Sequence, residues 1–189
     1  MSAYPLYLLR HGAPETEGLL LGRTDSAATT AGIAACAAQA DDLDVDAILC
    51  SDLLRARACA EGCAAPRKLA VTVDARWREI DFGAWDGLAP DAIDPAALGR
   101  FWDDPDANPP PGGERWSAFT ARVGAALAAI APRPTLVVTH GGAMRAALAV
   151  LCGFEQRRLW AFDLPYAAVL ALRVWPGEAP AGQIVGLWG

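Results

Sequence analysis

The 189-residue chain has little positive charge, and none of its apolar runs is long. Its 16 Lys and Arg residues stand against 22 Asp and Glu residues, which gives a formal net charge of −6. A chain of this sign lacks the general basic surface that nucleic acid binding needs. No apolar stretch reaches the roughly 20 residues that cross a bilayer. Neither nucleic acid nor a membrane is therefore an expected partner. Lysine is almost absent as well, since Lys68 is the only one, and arginine must supply nearly every positive contact.

The sequence also lacks paired cysteines and a secretory signal. Its cysteines are odd in number and form no CxxC pair, so we expect reduced, buried thiols rather than a disulfide framework or a metal site. They are Cys36, Cys50, Cys59, Cys63 and Cys152. The first residues, MSAYPLYLLRHG, show no basic start, apolar stretch or small-residue cleavage site. We therefore expect a cytoplasmic protein.

What is present is enough apolar material for one sizeable core. Hydrophobic residues make up 53% of the chain and charged residues 20%, with a mean hydropathy of +0.21. Such a composition is typical of folded chains and not of disordered ones. A chain of this length supports a single core, so residues 1–189 are expected to form one domain.

Segments of strand character alternate with helical segments, which predicts an α/β protein with a mostly parallel sheet covered on both faces. The predicted strands cover residues 3–9, 47–50, 69–73, 135–139 and 169–174. One predicted helix begins at Thr29 or Thr30, and the other predicted helices span 53–63, 116–130 and 142–151. Residues 103–113 contain three consecutive prolines and are predicted to form a loop. The last predicted strand could lie at a sheet edge and pair with a second copy of the chain, giving a homodimer.

The chain has only two histidines, and both follow a predicted strand and precede glycine. Ligands of open α/β sheets lie at the carboxyl ends of the strands, so His11 and His140 are expected to face one crevice. A single histidine at such a place is more often a hydrogen-bonded structural residue. The matching settings of the two histidines favour a shared site.

Arginines accompany these histidines. Arg10 precedes His11, and Arg55 follows the second predicted strand; the guanidinium fork of each matches the oxygens of a phosphoryl group. The amides of Gly141 and the next residue begin a helix and add to a local anion pocket. Arg55 is alternatively a solvated helix residue, and Arg23 could reach the same anion or lie on the surface.

A proton donor is available in the segment WREIDFGAWDG, which follows the third predicted strand. Glu79 and Asp81 both lie there, and a carboxyl group beside an anionic substrate could act as a general acid. The alternative is an ion pair with Arg76 or Arg78. Local sequence does not separate the two interpretations.

Five segments in order make the chain resemble the histidine phosphatase superfamily, also called phosphoglycerate mutase-like. They are LLRHG, SDLLRARACA, EIDFGAWDG, PPPGGE and VVTHGG, and the resemblance covers residues 6–152. The resemblance implies a three-layer α/β/α sandwich and a reaction through phosphohistidine that uses no metal or other cofactor. It implies that His11 is the nucleophile and that Glu79 protonates the leaving oxygen. It further implies that the phosphoryl oxygens are held by Arg10, Arg55 and His140.

Within the superfamily, EIDFGAWDG, a tryptophan-containing segment and PPPGGE are most similar to the alpha-ribazole phosphatase branch. The resemblance implies a small phosphorylated metabolite as substrate, with alpha-ribazole 5′-phosphate as the best candidate. The alternatives are a phosphoglycerate mutase, a sugar phosphatase on the same scaffold, or a non-catalytic phosphate-binding module. Four aromatic residues could stack on a flat base or belong to the core. They are Trp85, Phe101, Trp102 and Trp116.

Overall fold

A computed structural model describes residues 2–189, within which the chain forms five α-helices and six β-strands. In chain order these are β1 (Tyr4–Arg10), α1 (Thr30–Ala40), β2 (Ala47–Cys50), α2 (Leu54–Ala64), β3 (Val71–Val73), α3 (Pro95–Asp103), α4 (Trp116–Ala128), β4 (Thr135–Thr139), α5 (Gly141–Cys152), β5 (Val169–Trp175) and β6 (Ala181–Trp188). None of the helices in residues 2–189 has the length and apolar character needed to cross a membrane.

The six strands form one mixed sheet in the order β3-β2-β4-β1-β5-β6. The first four strands of this order run parallel to one another. β5 runs antiparallel to both of its neighbours, β1 and β6. The sheet is thus mostly parallel, as the alternating segments predicted.

Two apolar clusters lie on opposite faces of this sheet, because successive side chains of a strand point to opposite sides. One cluster joins the sheet to α4 and α5, and it includes Leu6, Leu8, Phe119, Val137 and Met144. The other joins the sheet to α1 and α2, and it includes Leu9, Cys36, Ala56, Cys59 and Val138. The alanines and cysteines of the second cluster let its helices pack close to the strands. The predicted three-layer α/β/α sandwich is confirmed.

The strand order explains why two distant parts of the sequence meet. β1 and β4 are parallel neighbours, and their register places Arg10 beside Thr139. The next residues, His11 and His140, therefore leave the sheet side by side. This is also where the connections turn to opposite faces, and such a switch point is the usual ligand crevice of an open α/β sheet.

The structure corrects the predicted elements at several points. β5 lies between β1 and β6, so the expectation that residues 169–174 form a sheet edge is wrong. β6 was not predicted, and neither was α3, although Asp94 caps α3 by accepting a hydrogen bond from the Ala97 N–H at 2.8 Å. The third strand is confined to Val71–Val73. The predicted loop begins after Asp103, the last residue of α3.

Candidate active site

His11 and His140 lie together at the carboxyl ends of β1 and β4. Their ring centroids are 5.0 Å apart, and the rings are inclined by 64°. The predicted convergence of the two histidines is confirmed. Their exposure differs: His11 is 5% exposed and His140 only 1%.

The tautomer of His11 is fixed by the backbone. Its Nδ1 lies 2.7 Å from the Gly12 carbonyl oxygen, which accepts only from an N–H, so the proton is on Nδ1. Nε2 is then the unprotonated atom. Burial lowers the pKa of His11 to about 3, and the charges of Arg55 and Arg10 act in the same direction, against the Gly12 hydrogen bond. His11 is therefore a neutral imidazole at pH 7, as a nitrogen nucleophile must be.

Thiols of α1 and α2 form hydrogen bonds with the backbone of the turn that carries His11. The Gly12 N–H donates to Cys59 Sγ at 3.3 Å, and Cys36 Sγ donates to the Arg10 carbonyl at 3.6 Å. A Cβ on Gly12 would lie 2.1 Å from the Gly32 carbonyl oxygen, so this approach requires glycine. All five cysteines are free; four are buried, as predicted, and Cys152 is half-buried.

Arg10 is half-buried and is held by a backbone carbonyl and an aromatic ring. Its Nη1 donates to the Leu164 carbonyl at 2.6 Å, and its Cζ lies 4.1 Å from the ring centroid of Tyr166. The Nε of Arg10 is buried and has no hydrogen-bond partner within residues 2–189. The Nε–H is therefore free to donate to a bound anion.

Arg55 is fully buried, so the alternative that it is a solvated helix residue is wrong. It donates to the Thr24 carbonyl at 2.8 Å and to the Leu21 carbonyl at 2.7 Å, and its Nε finds no partner in the described chain. Arg55 thus holds the backbone of residues 21–24 from inside the protein. The Asp86 carboxylate holds the same segment, accepting from three successive N–H groups at 2.6–3.1 Å.

Glu79 contacts the start of α5. Its Oε2 accepts from the Gly142 N–H at 2.9 Å, and its Oε1 accepts from the Ile80 N–H at 2.8 Å. A carboxylate is stabilised at a helix N-terminus by the free amides there. The alternative of an ion pair between Glu79 and a neighbouring arginine is wrong. Arg76 pairs with Asp74, and Arg78 pairs with Asp52.

Asp81 and Arg23 are bound to each other. Arg23 Nε lies 3.1 Å from Asp81 Oδ2, and both side chains are about one third exposed. Asp81 Oδ1 accepts from the Gly83 N–H at 2.9 Å. Two cavities meet beside the Glu79 side chain, and neither Asp81 nor Arg23 lines them. Of the two candidate acids the structure therefore favours Glu79.

Two cavities meet at Glu79. The smaller, of about 150 Å³, is lined by His11, Tyr166 and the leucines at 19–21. The larger, of about 300 Å³, is lined by Gly141, Gly142 and many aromatic side chains. Their shared walls are Arg10, Glu79 and Phe82. One small polar space thus adjoins one larger aromatic space, and a carboxylate stands at their boundary.

Not every predicted residue lines these cavities. Arg10, His11, Glu79 and Gly141 do, whereas Arg23, Arg55 and His140 do not. Both ring nitrogens of His140 are buried and have no partner among residues 2–189. The expectation that both histidine rings open into the crevice therefore holds for His11 alone. Of the four aromatic residues, Phe101, Trp102 and Trp116 line the larger cavity, and Trp85 packs edge-on against Phe101 at 5.7 Å.

Sequence reasoning missed several lining residues, and three of them are important for the site. Tyr166 lies 5.6 Å from the His11 ring, centroid to centroid. Arg145 is one helical turn beyond Gly141, and Trp160 lies in the 3₁₀ segment Gln156–Ala161. Two of them belong to irregular chain that carries no strand or helix pattern. The helical position of Arg145, four residues after Gly141, was the one available signal.

No set of three or more His, Cys, Asp or Glu side chains within residues 2–189 is grouped so that it could hold a metal ion.

Burial of both histidines predicts a pH-dependent stability. Burial lowers the pKa of His11 to about 3 and that of His140 well below 6.5, so below pH 6.5 the unfolded chain binds protons that the folded chain does not. Stability is therefore complete above pH 6.5 and is lost as the pH falls. From pH 7.5 to 5 we expect the free energy of unfolding to drop by about 2 kcal/mol for each histidine. Urea denaturation at the two pH values measures this.

The matched variant is His11→Asn, which removes one of the two titrating groups. It should show about half of the wild-type loss over the same pH interval. A loss of equal size in both proteins would assign the effect to carboxylates instead.

Known proteins are similar to this chain over most of its length. A family model described as Histidine phosphatase superfamily (branch 1) matches residues 6–183. The adenosylcobalamin/alpha-ribazole phosphatase of Escherichia coli K12 is 30% identical over 176 residues, which cover 83% of each chain. A probable phosphoglycerate mutase of Salmonella choleraesuis is 30% identical over 169 residues, covering 82% of this chain and 79% of that protein.

Solved structures are similar over almost the whole chain. A mycobacterial glucosyl-3-phosphoglycerate phosphatase is 28% identical with a TM-score of 0.83, and the match covers 97% of both chains. A putative alpha-ribazole-5′-P phosphatase from Escherichia coli is 25% identical with a TM-score of 0.84, covering 99% of this chain and 97% of that one. The relatives differ in the substrates that their names give.

Proposed function

The chain belongs to the histidine phosphatase superfamily, and from that membership we propose that it hydrolyses a small phosphomonoester through a phosphohistidine at His11. The observation that carries this proposal is the pair of adjoining cavities with Glu79 at their boundary. The smaller cavity suits a phosphoryl group beside His11, and the larger suits the group that leaves. Glu79 then stands where the ester oxygen between them must lie.

The first step transfers the phosphoryl group to the protein. His11 Nε2 attacks phosphorus, forming an N–P bond while the ester P–O bond breaks. Glu79, as the carboxylic acid, gives its proton to the departing oxygen. The imidazole becomes positively charged, and the hydrogen bond from Nδ1 to the Gly12 carbonyl strengthens with it. Arg10 lines both cavities, and its unpartnered Nε donates to an oxygen of the phosphoryl group. We assign the same role to Arg55 and His140, which line neither cavity as it stands but also have buried nitrogens without a partner in the described chain.

The second step releases phosphate. A water molecule attacks phosphorus and loses its proton to the Glu79 carboxylate, while the N–P bond breaks. His11 returns to its neutral form with the proton still on Nδ1. Glu79 is again a carboxylic acid, so the cycle closes without any other proton source. Each step uses only groups of the chain and water.

For the substrate we propose a phosphomonoester with a flat ring, and alpha-ribazole 5′-phosphate as the best candidate. Six aromatic side chains line the larger cavity, and stacked or edge-on contacts between aromatic groups favour a flat ligand there. They are Phe82, Phe101, Trp102, Trp116, Phe119 and Trp160. The Escherichia coli relatives named for alpha-ribazole support the same choice.

A substrate panel tests this choice. We expect kcat/KM for alpha-ribazole 5′-phosphate to exceed that for glucosyl-3-phosphoglycerate and 3-phosphoglycerate by at least about tenfold, a difference of about 1.4 kcal/mol. A preference for glucosyl-3-phosphoglycerate would instead assign the chain the activity named for its mycobacterial structural relative. Isomerisation of phosphoglycerate that depends on a bisphosphate primer would indicate a mutase.

Chelation provides a further check on the mechanism. Because no step uses a metal ion, EDTA should leave the rate on alpha-ribazole 5′-phosphate unchanged. A rate that falls with EDTA and returns with added Mg²⁺ or Zn²⁺ would contradict the mechanism. Phosphate binding without turnover of any phosphomonoester in folded protein would favour the non-catalytic module.

A further inference from the structure

One arginine side chain in the lining of the larger cavity has no role in the proposed phosphoryl transfer. Arg145 lines this cavity, and Arg10 is the only other basic side chain in its lining among residues 2–189. Arg10 also borders the smaller cavity with His11, whereas Arg145 does not. Arg145 therefore faces the space of the leaving group rather than that of the phosphoryl group.

The guanidinium of Arg145 is held in one orientation. Nη1 lies 3.3 Å from the Gly141 carbonyl oxygen and Nη2 lies 3.1 Å from the Phe162 carbonyl oxygen. Its Cζ lies 4.5 Å from the ring centroid of Trp160. The Nε is buried without a partner in the described part of the chain. Hydrogen bonds and stacking together hold the planar, positively charged guanidinium in a fixed position in the cavity wall.

Trp160 extends this part of the cavity wall toward solvent. It is 48% exposed, and its ring stands edge-on to Trp102 at 5.0 Å. Trp102 in turn contacts the buried Phe101 at 4.6 Å. The aromatic surface thus runs without interruption from the core to the mouth of the cavity. Arg145 lies against it and lines the cavity, whereas Arg122, whose Cζ lies 4.8 Å from the Phe119 ring centroid, does not line it.

We propose that Arg145, stacked on Trp160, is the specificity-determining residue of the leaving-group cavity and selects leaving groups that carry a flat, π-rich ring. This deepens the proposed function and depends on it. A planar guanidinium stacks on an aromatic ring and attracts its electron-rich face, which an ammonium group on a flexible stem cannot match. Burial lowers the pKa of Arg145, and the negative charge of Glu79 opposes that shift.

The test compares two probes that differ only by a ring. Adenosine 5′-monophosphate and ribose 5-phosphate share the sugar and the 5′-phosphate, and only the first carries a flat base. We expect the wild type to prefer the ring-bearing probe. Arg145→Gln and Arg145→Lys should each reduce that preference by about tenfold, mainly through a higher KM, with kcat/KM for ribose 5-phosphate unchanged.

Two further variants separate specificity from folding. Trp160→Leu removes the stacking partner at an exposed position and should reduce the preference in the same direction. Arg158→Gln changes an exposed arginine in the same segment and should not alter it. Urea denaturation midpoints show whether each variant is folded.

Three outcomes would overturn the inference. Equal losses on both probes would make Arg145 part of the phosphoryl-transfer machinery, and no loss on either would make it structural. Loss confined to 3-phosphoglycerate would make it a carboxylate receptor. Failure of the proposed function looks different, because wild type would then hydrolyse neither probe. A ring preference that persists while alpha-ribazole 5′-phosphate proves a poor substrate corrects the substrate and leaves the role of Arg145 intact.

Discussion

His11→Asn is expected to lose at least about four orders of magnitude in kcat/KM, because it removes the atom that forms the bond to phosphorus. The His11 Nε2 is the unprotonated nitrogen beside the smaller cavity, and the described chain offers no second imidazole there, since His140 lines neither cavity. Asparagine keeps a side-chain N–H that can donate to the Gly12 carbonyl. The backbone turn therefore keeps its hydrogen bond while the nucleophile disappears. Steady-state hydrolysis of p-nitrophenyl phosphate gives the size of the loss.

Trapping of the intermediate shows whether the lost atom is the nucleophile. Wild-type protein quenched during turnover should carry phosphate in a bond that is stable to alkali and lost in acid, as expected of an N–P bond. His11→Asn should carry none. Retained turnover in folded His11→Asn would disprove the phosphohistidine mechanism. Labelled phosphate on another residue would move the nucleophile there.

The fold was predictable where the pattern of the sequence is local. Short apolar runs bounded by polar, glycine or proline residues marked β1, β2 and β4, because a strand buried on both faces has little room for polar residues. β6 was missed because Gly182 and Gly186 interrupt its pattern. In the structure they are needed for packing: a Cβ on Gly182 would lie 2.9 Å from Leu151, and one on Gly186 would lie 2.8 Å from the Trp188 ring. This requirement for glycine is visible only in the tertiary fold, since it depends on the neighbouring side chains.

The site was predictable to the extent that it follows from strand ends. Arg10, His11 and Glu79 were found because each follows a predicted strand at the edge of the sheet where ligands bind. The partners of Arg55 were not predicted. Its guanidinium contacts carbonyl groups of residues 21–24, and no local sequence pattern indicates a contact with a residue 31 positions earlier in the chain. Arg145 and Trp160 come from a helix and a 3₁₀ segment, and only packing brings them together.

Gly142→Ala is expected to lower kcat by about two to four orders of magnitude through Glu79 alone. A Cβ at this position would lie 2.0 Å from Glu79 Oε1 and 2.8 Å from Glu79 Cδ. The obstacle is the far end of a flexible side chain, so Glu79 can turn away at little cost in stability. Alanine also favours a helix over glycine. The variant should therefore fold with a near-normal urea midpoint and lack a positioned acid.

The dependence on the leaving group identifies this cause. An alkoxide needs a proton as it departs, whereas p-nitrophenolate is stable without one, so the loss should be larger with ribose 5-phosphate than with p-nitrophenyl phosphate. The double variant Gly142→Ala/Glu79→Gln should be no slower than Glu79→Gln, because the two changes remove the same proton transfer. The matched control is Gly124→Ala on α4, where a Cβ would meet only Val150 at 3.7 Å, and it should keep full activity. Equal losses on both substrates would show that the added methyl group disturbs the binding of the phosphoryl group, and Glu79 would then lose its role as the acid.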